Sequence, residues 1–165
     1  MFRTVFIALA TATIGLAAQA EEGGDLTLTI NGEDYAYSLW ASQSDWSGSE
    51  SFGSVNIYAQ PAGEDGIFKT FSLGFSLAAG KAERGEINFR TVSDGETTRL
   101  FAGADDDEGG LAVMVDSVSV SGEKLSVSGR FQSRMGPSDN FGRDIDLSDP
   151  MEIEGSFDVV LGPVE

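Results

Sequence analysis

The chain has no cysteine and no histidine. Without cysteine no disulfide can form and no lipid can be attached through a thiol, so stability must come from a packed core. Without either residue, Ser-His-Asp and Cys-His catalysis are excluded, as are zinc and copper sites built on imidazole or thiolate. Cations are scarce as well: 10 Lys and Arg face 27 Asp and Glu, for a net charge of −17. Such an excess repels nucleic-acid backbones and anionic lipid surfaces, so neither is expected as a partner. Beyond the first twenty residues no stretch carries a 3.6-residue apolar stripe, so helices are not expected either. The chemistry left is carboxylate work, hard-cation binding through oxygen, Lys or Tyr chemistry, or none.

What is present begins with an export pattern. Arg3 precedes an apolar run from Val5 through Ala18, no further Lys or Arg occurs before Lys69, and the run ends in Ala18-Gln19-Ala20. A cationic start, an apolar centre and a small-x-small exit make up the layout of a secretory signal peptide. The run is shorter than the roughly 20 apolar residues that span a bilayer, and Thr11, Thr13 and Gly15 interrupt it. The expectation is a cleavable signal over residues 1–20 and a single domain over 21–165. The product would be a soluble protein of a bacterial periplasm or the medium, with no stable membrane anchor. Losing Arg3 takes the charge from −17 to −18. A hydrophobic fraction of 41% and 11 Phe are enough for a packed core rather than a disordered acidic tail.

The rest reads as strands and turns. Leu26-Thr27-Leu28-Thr29-Ile30 alternates, Asn31-Gly32 follows, and Tyr35, Tyr37 and Leu39 resume the alternation. Asn-Gly suits a type I′ hairpin, which would pair Leu28 with Tyr35 and Leu26 with Tyr37. A Gly122-Glu123 turn of type II′ would set Val120 opposite Leu125 and Val118 opposite Val127. Leu111, Val113 and Val115 are out of phase with Val118, so a bulge is expected near Asp116-Ser117. A two-residue Asp94-Gly95 turn, joining Glu86–Val92 to Thr97–Phe101, would pair Phe89 with Leu100 but oppose Arg90 to Arg99. That opposition is unfavourable unless an anion or a carboxylate lies between them. Further strands are expected over Ser54–Ala59, Phe68–Leu77 and Glu152–Leu161, with loops over Ser42–Ser51, Gln60–Gly66, Ala78–Gly85, Ala102–Gly110 and Gly136–Pro150. The segments Val127-Ser128-Gly129-Arg130-Phe131 and Ile153-Glu154-Gly155-Ser156-Phe157 share the pattern apolar-x-Gly-x-Phe. In each, the glycine and the Phe point the same way, so the glycine leaves room for a ring from a neighbouring strand or lets the sheet bend. In Leu73-Gly74-Phe75 the glycine takes the opposite face from the ring.

Three groups could carry function. Trp40, Trp46 and Tyr58 are candidates for stacking on a sugar or another flat ligand; the competing reading folds both Trp residues back onto the core. Asp139, Asp144, Asp146 and Asp149 lie in a long loop where Asp144–Leu147 would form a short edge strand, and they are candidate Ca²⁺ ligands by donor type alone. Asp105, Asp107 and Glu108 form a weaker Ca²⁺ candidate in a contiguous acidic loop, read first as a solvated turn. Arg84, Arg90 and Arg99 are the clustered cations; an anion site is one reading of them, and internal pairing with some of the 27 acids is the one expected.

The fold expected is an all-β domain of about eight to ten strands, an antiparallel sandwich or a meander barrel. The function expected is an exported, non-catalytic binding or accessory protein. Its partner would be an unknown small molecule, a glycan or a protein, with no cofactor unless Ca²⁺ binds. The alternatives are a carbohydrate-binding or Ca²⁺-dependent module, a small hydrolase working with a carboxylate pair, and a structural or assembly component of the envelope.

Overall fold

The computed structural model describes residues 21–63 and 66–164. The predicted signal peptide therefore lies outside the described residues. The described chain is all-β, and its only helical pieces are two single 3-10 turns, Ala41–Gln43 and Asp106–Glu108. No helix among the described residues is long and apolar enough to cross a membrane.

Ten strands form one antiparallel sheet: β1 (Gly23–Ile30), β2 (Glu33–Leu39), β3 (Asp45–Gly48), β4 (Phe52–Pro61), β5 (Phe68–Ala78), β6 (Lys81–Ser93), β7 (Glu96–Gly103), β8 (Ala112–Ser121), β9 (Lys124–Pro137) and β10 (Met151–Leu161). β10 lies along one edge of β9, while the other edge is shared, by β8 up to Gln132 and by β7 at Gly136 and Pro137. β4 is shared in the same way, by β3 at Gly53–Asn56 and by β2 at Ala59–Pro61. Followed from β1 through β2, β4, β5, β6, β7, β9 and β10, the pairings come back to β1.

The hairpins form as turn chemistry and alternation require. Asn31 and Gly32 both take positive φ (49° and 84°), and Leu28 faces Tyr35 with Leu26 facing Tyr37. Gly122 takes φ 64°, Val120 faces Leu125, and the register slips between Val115 and Ser117, where the bulge was expected. The third hairpin adopts the two-residue turn, with Asp94 and Gly95 at φ 51° and 82°, so Arg90 does stand opposite Arg99.

Two expected loops are corrected. The segment Ala78–Gly85 is a tight turn at Ala79-Gly80 (φ 52° and 72°), after which β6 has already begun at Lys81. Within Ser42–Ser51 lies the short strand β3. The edge strand expected over Asp144–Leu147 does not form; Asp146 makes one backbone bond to the Pro137 carbonyl (2.9 Å).

One side of the sheet is filled. Leu28, Ile57, Phe71, Leu73, Phe89, Leu125, Phe131 and Val159 are all buried. Phe71 stacks on Phe131 at 5.4 Å and Phe68 on Phe89 at 5.4 Å, while Tyr35 meets Phe68 edge-on at 4.8 Å. Aromatic rings supply the largest buried areas of any side chains, so this run anchors the core. The repeated apolar-x-Gly-x-Phe pattern completes it. Gly155 faces Phe131 and Gly129 faces Phe157 across β9 and β10, and a Cβ at either glycine would lie 2.7 Å from the facing ring.

Candidate functional site

The sequence candidates Trp40 and Trp46 part company in the structure. Trp46 is 5% exposed, and its indole N–H donates to the Glu123 carbonyl at 3.0 Å. Its backbone pins the C-terminal segment through Trp46 N to Gly162 O and Val164 N to Trp46 O, both 3.0 Å. The reading of Trp46 as a stacking residue is therefore corrected: it is a core residue that closes the sheet's end. Trp40 is 37% exposed and stands one step beyond the last β2–β4 pair, with its N–H donating to the Tyr58 carbonyl (2.8 Å). The Ser44 hydroxyl fixes this junction by donating to the Trp40 and Tyr58 carbonyls (3.0 and 3.1 Å) while accepting from the Tyr58 N–H (2.9 Å).

From Tyr58 a row runs across the outer side of the sheet. Tyr58 pairs with Ser72, Ser72 with Asn88, Asn88 with Phe101 and Phe101 with Gly136. Paired residues share a face, and each is the outward neighbour of a buried one: Ile57, Phe71, Phe89 and Leu100 point the other way. With strands about 4.8 Å apart, the stretch from Trp40 to Phe101 covers about 19 Å. The row one step along, Asn56, Gly74, Glu86 and Gly103, alternates side chain with glycine. Beside this floor lies a groove of about 780 Å³, whose lining includes Glu86 and Gly103 of that row.

The groove is bounded by Tyr58, Phe101 and Phe141, with Arg84, Glu86 and Arg143 among its charged lining. Its floor is polar. The Ser72 hydroxyl donates to the Asn88 carbonyl (3.2 Å), and among the described residues the Asn88 side-chain amide has no hydrogen-bond partner. The segment 138–150 forms the far wall. The Ser138 hydroxyl accepts from the N–H groups of Asn140 and Gly142 (3.4 and 2.9 Å), and Asn140 Oδ1 accepts from the Asp144 N–H (2.9 Å). That folded turn lays Gly142 against the Phe101 ring, where a Cβ would come within 3.0 Å, and leaves Phe141 80% exposed at φ 61°.

The acidic candidates are not brought together. Among the described residues no three carboxylates lie close enough to hold a metal ion. Asp144 accepts from the Asn140 amide. Asp146 accepts from the Ser148 N–H (2.9 Å), and bonding to Ser148 holds its carboxyl below the usual range. In the second acidic loop the Asp105 carbonyl accepts from the N–H groups of Glu108 and Gly110 (both 2.9 Å), and the Glu108 side chain folds over Gly103. The pairing expected of Arg84, Arg90 and Arg99 is corrected too, since none has a carboxylate partner among the described residues.

Ser72, Asn88, Phe101, Phe141 and Arg143 were not among the sequence candidates. One signal for them exists: Leu100-Phe101 breaks the period of two, so both faces of β7 had to be covered. Comparison with known protein families, with characterised proteins and with solved structures finds no match to this chain.

Proposed function

We propose that this is an exported, non-catalytic binding domain, a closed barrel whose outer wall rather than its interior holds the ligand, and that the ligand is a glycan. The observation that carries this reading is the in-register outward row Trp40, Tyr58, Ser72 and Asn88, closed at its far end by the buried Phe101. Aromatic faces stack on the apolar faces of sugar rings, and hydroxyl and amide groups between them fix orientation. The closed circuit of pairings supports the barrel, and the filled core argues for the outer wall. The lining holds acids and arginines but no nucleophile–base pair, and with His and Cys missing from the sequence none is readily assembled.

Trp40 is the natural reporter, since Trp46 is buried. Titration with a panel of neutral and acidic oligosaccharides should shift Trp40 emission, and Tyr58→Ala should abolish the shift without lowering the melting temperature. Absence of any shift across the panel at millimolar ligand, together with Tyr58→Ala behaving as the parent, would sink the proposal.

A second reading rests on Tyr37. This residue is 1% exposed, its hydroxyl has no hydrogen-bond partner among the described residues, and burial raises its pKa, so it stays neutral. It lines a largely apolar hollow of about 740 Å³ together with Ile30, Tyr35, Pro61, Ile67 and Phe68. Buried polar groups are normally satisfied, so the hydroxyl suits a small apolar ligand bearing one polar group. Tyr37→Phe separates the cases with 1-naphthol as probe. A ligand anchor would lose naphthol binding, whereas a merely orphaned hydroxyl would give a variant more stable by about 1–2 kcal/mol with naphthol binding unchanged.

A further inference from the structure

In a chain with 27 acids and only 10 Lys and Arg, three cations share one cross-strand level. Arg90 on β6 stands directly opposite Arg99 on β7. On the other side of β6 the register of β5 slips between Phe68 and Phe71, which sets Lys69 and Thr70 together against Arg90. Both arginines are exposed, and neither has a carboxylate within ion-pair reach among the described residues. The contrast is Arg130, which reaches Asp116 through two hydrogen bonds of 3.2 and 3.1 Å. The fold therefore neutralises the arginine on β9 and leaves two facing each other across β6 and β7.

The neighbouring outward positions do not relieve the repulsion. Next to Arg90 and Arg99 lie Val92 with Thr97 on one side and Asn88 with Phe101 on the other, all uncharged. The nearest outward acid on β6 is Glu86, four residues away, or about 13 Å along the strand. Like charges directly opposite one another in a sheet are destabilising, so this pair is held at a cost to the free protein. The row that adjoins it is the floor of the groove, one step of about 6.7 Å away. Across the groove stand Glu86 and Asn56. The Arg90–Arg99 pair thus borders the groove floor on one side without a carboxylate beside it, while on the other the lining mixes Glu86, Asp105 and Glu108 with Arg84 and Arg143.

We propose that the glycan bound in this groove is acidic, and that its carboxylate or sulfate groups seat between Arg90 and Arg99, with Lys69 extending the strip. This rests on the groove reading and names the class of its ligand. A guanidinium offers a planar fork of donors that fits carboxylate and sulfate oxygens, and an anion between two such forks turns repulsion into attraction. With three cations set in a strongly negative protein, the strip favours a sparsely charged sugar chain over a polyphosphate, whose dense charge the rest of the surface repels.

The test uses the mature chain and matched pairs of probes: polygalacturonate with its methyl ester, and chondroitin sulfate with chondroitin that is both desulfated and methyl-esterified at its carboxylates. Affinity electrophoresis and Trp40 emission give the binding. Expected is at least tenfold tighter binding of one acidic member over its neutralised partner, weakening as salt rises. In Arg90→Gln/Arg99→Gln that preference should vanish while the neutral partner binds as before, and Arg130→Gln should leave it intact. Because the double variant removes a like-charge opposition, its melting temperature should not fall. Equal binding of charged and neutralised forms, or a preference surviving the double variant, overturns the acidic class and leaves the groove standing. Binding to none of the probes, neutral members included, removes the groove reading and this inference with it. Arg90- and Arg99-dependent binding of an oligothymidylate tighter than of any acidic glycan would reassign the strip to nucleic acid and overturn the proposal.

Discussion

Glycine does opposite work on the two faces of this sheet. On the inner face, Gly129 and Gly155 are occupied from outside: each receives the ring of the Phe facing it across β9 and β10. On the outer face, Gly74 and Gly103 stand in the row beside the groove floor, and polar side chains lie over both. A Cβ at Gly74 would meet Glu86 and Asn56 side-chain atoms at 3.3–3.5 Å, and one at Gly103 would meet the Glu108 side chain. The space of a missing side chain is taken by a rigid apolar ring on the inner face and covered by polar side chains on the outer one. The same residue builds the core on one side and the candidate site on the other.

If the comparison holds, Gly155→Val is the most damaging single change. Its Cβ would lie 2.6 Å from the Thr27 carbonyl oxygen and 2.7 Å from the Phe131 ring, neither of which can move without the sheet. A loss of about 3 kcal/mol is expected, near the upper end for overpacking. In a domain of this size that lowers the melting temperature by about 10 °C in calorimetry. Adding Phe131→Ala should recover part of it, because the two changes share one space and are not additive. If Gly155→Val melted like the parent, the reciprocal ring-on-glycine arrangement would be wrong. Trp46→Phe comes next, at about 2 kcal/mol, because it leaves the Glu123 carbonyl without its donor and thins the packing. Trp40→Ala, on the outer side, should cost under about 0.5 kcal/mol. Acrylamide quenching should divide the emission in the same way, with the component lost in Trp40→Ala quenched readily and the remainder protected. Gly74→Ala completes the series from the other face. Its stability should stay within about 0.5 kcal/mol of the parent, while Trp40-detected glycan binding weakens. A melt as damaged as that of Gly155→Val would erase the contrast between faces.

The inner face was legible in the sequence because several local rules agreed there. Asn31-Gly32 dictates its turn, Leu26, Leu28, Tyr35 and Tyr37 alternate in phase with it, and the apolar-x-Gly-x-Phe repeat places each glycine with its ring. Where one local rule failed, so did the reading. Ala79 adopts φ 52° in a tight turn, an unusual choice for a residue that is neither glycine nor asparagine, and so Ala78–Gly85 passed for a loop. The groove was out of reach for a different reason. Tyr58, Ser72, Asn88 and Phe101 meet only when β4, β5, β6 and β7 are all in register, and no local pattern marks Ser72 or Asn88 as partners. What the sequence did carry was Gly74 on the face opposite Phe75, next to the outward row, and the opposition of Arg90 to Arg99.

The loop that walls the groove offers the gentlest test, because its order comes from polar contacts rather than from burial. Asp146 is exposed, and its carboxylate accepts from Ser148. These bonds favour the charged form, so its pKa in the folded state lies below its unfolded value, near 3.8. A depressed carboxylate stabilises the fold above the unfolded pKa, and the contribution is lost as pH falls through the folded one. At neutral pH, then, Asp146 is charged and its turn intact; the turn should loosen only below the usual carboxylate range. An NMR titration should place the Asp146 midpoint under 3.8, and Ser148→Ala should move it upward by removing the hydroxyl bond while leaving the backbone one. The consequence for the groove is small but directional. The Asp146 N–H is bonded to the Pro137 carbonyl, next to Gly136 at the end of the outward row, so acidification should loosen the far wall before it reaches the core. Hydrogen exchange at the Gly142 and Asp146 amides should therefore rise on acidification relative to that at Phe131, after correction for the intrinsic rates. Matched exchange at all three positions would mean that the wall is part of the core after all, and that the two faces do not differ in the way their glycines suggest.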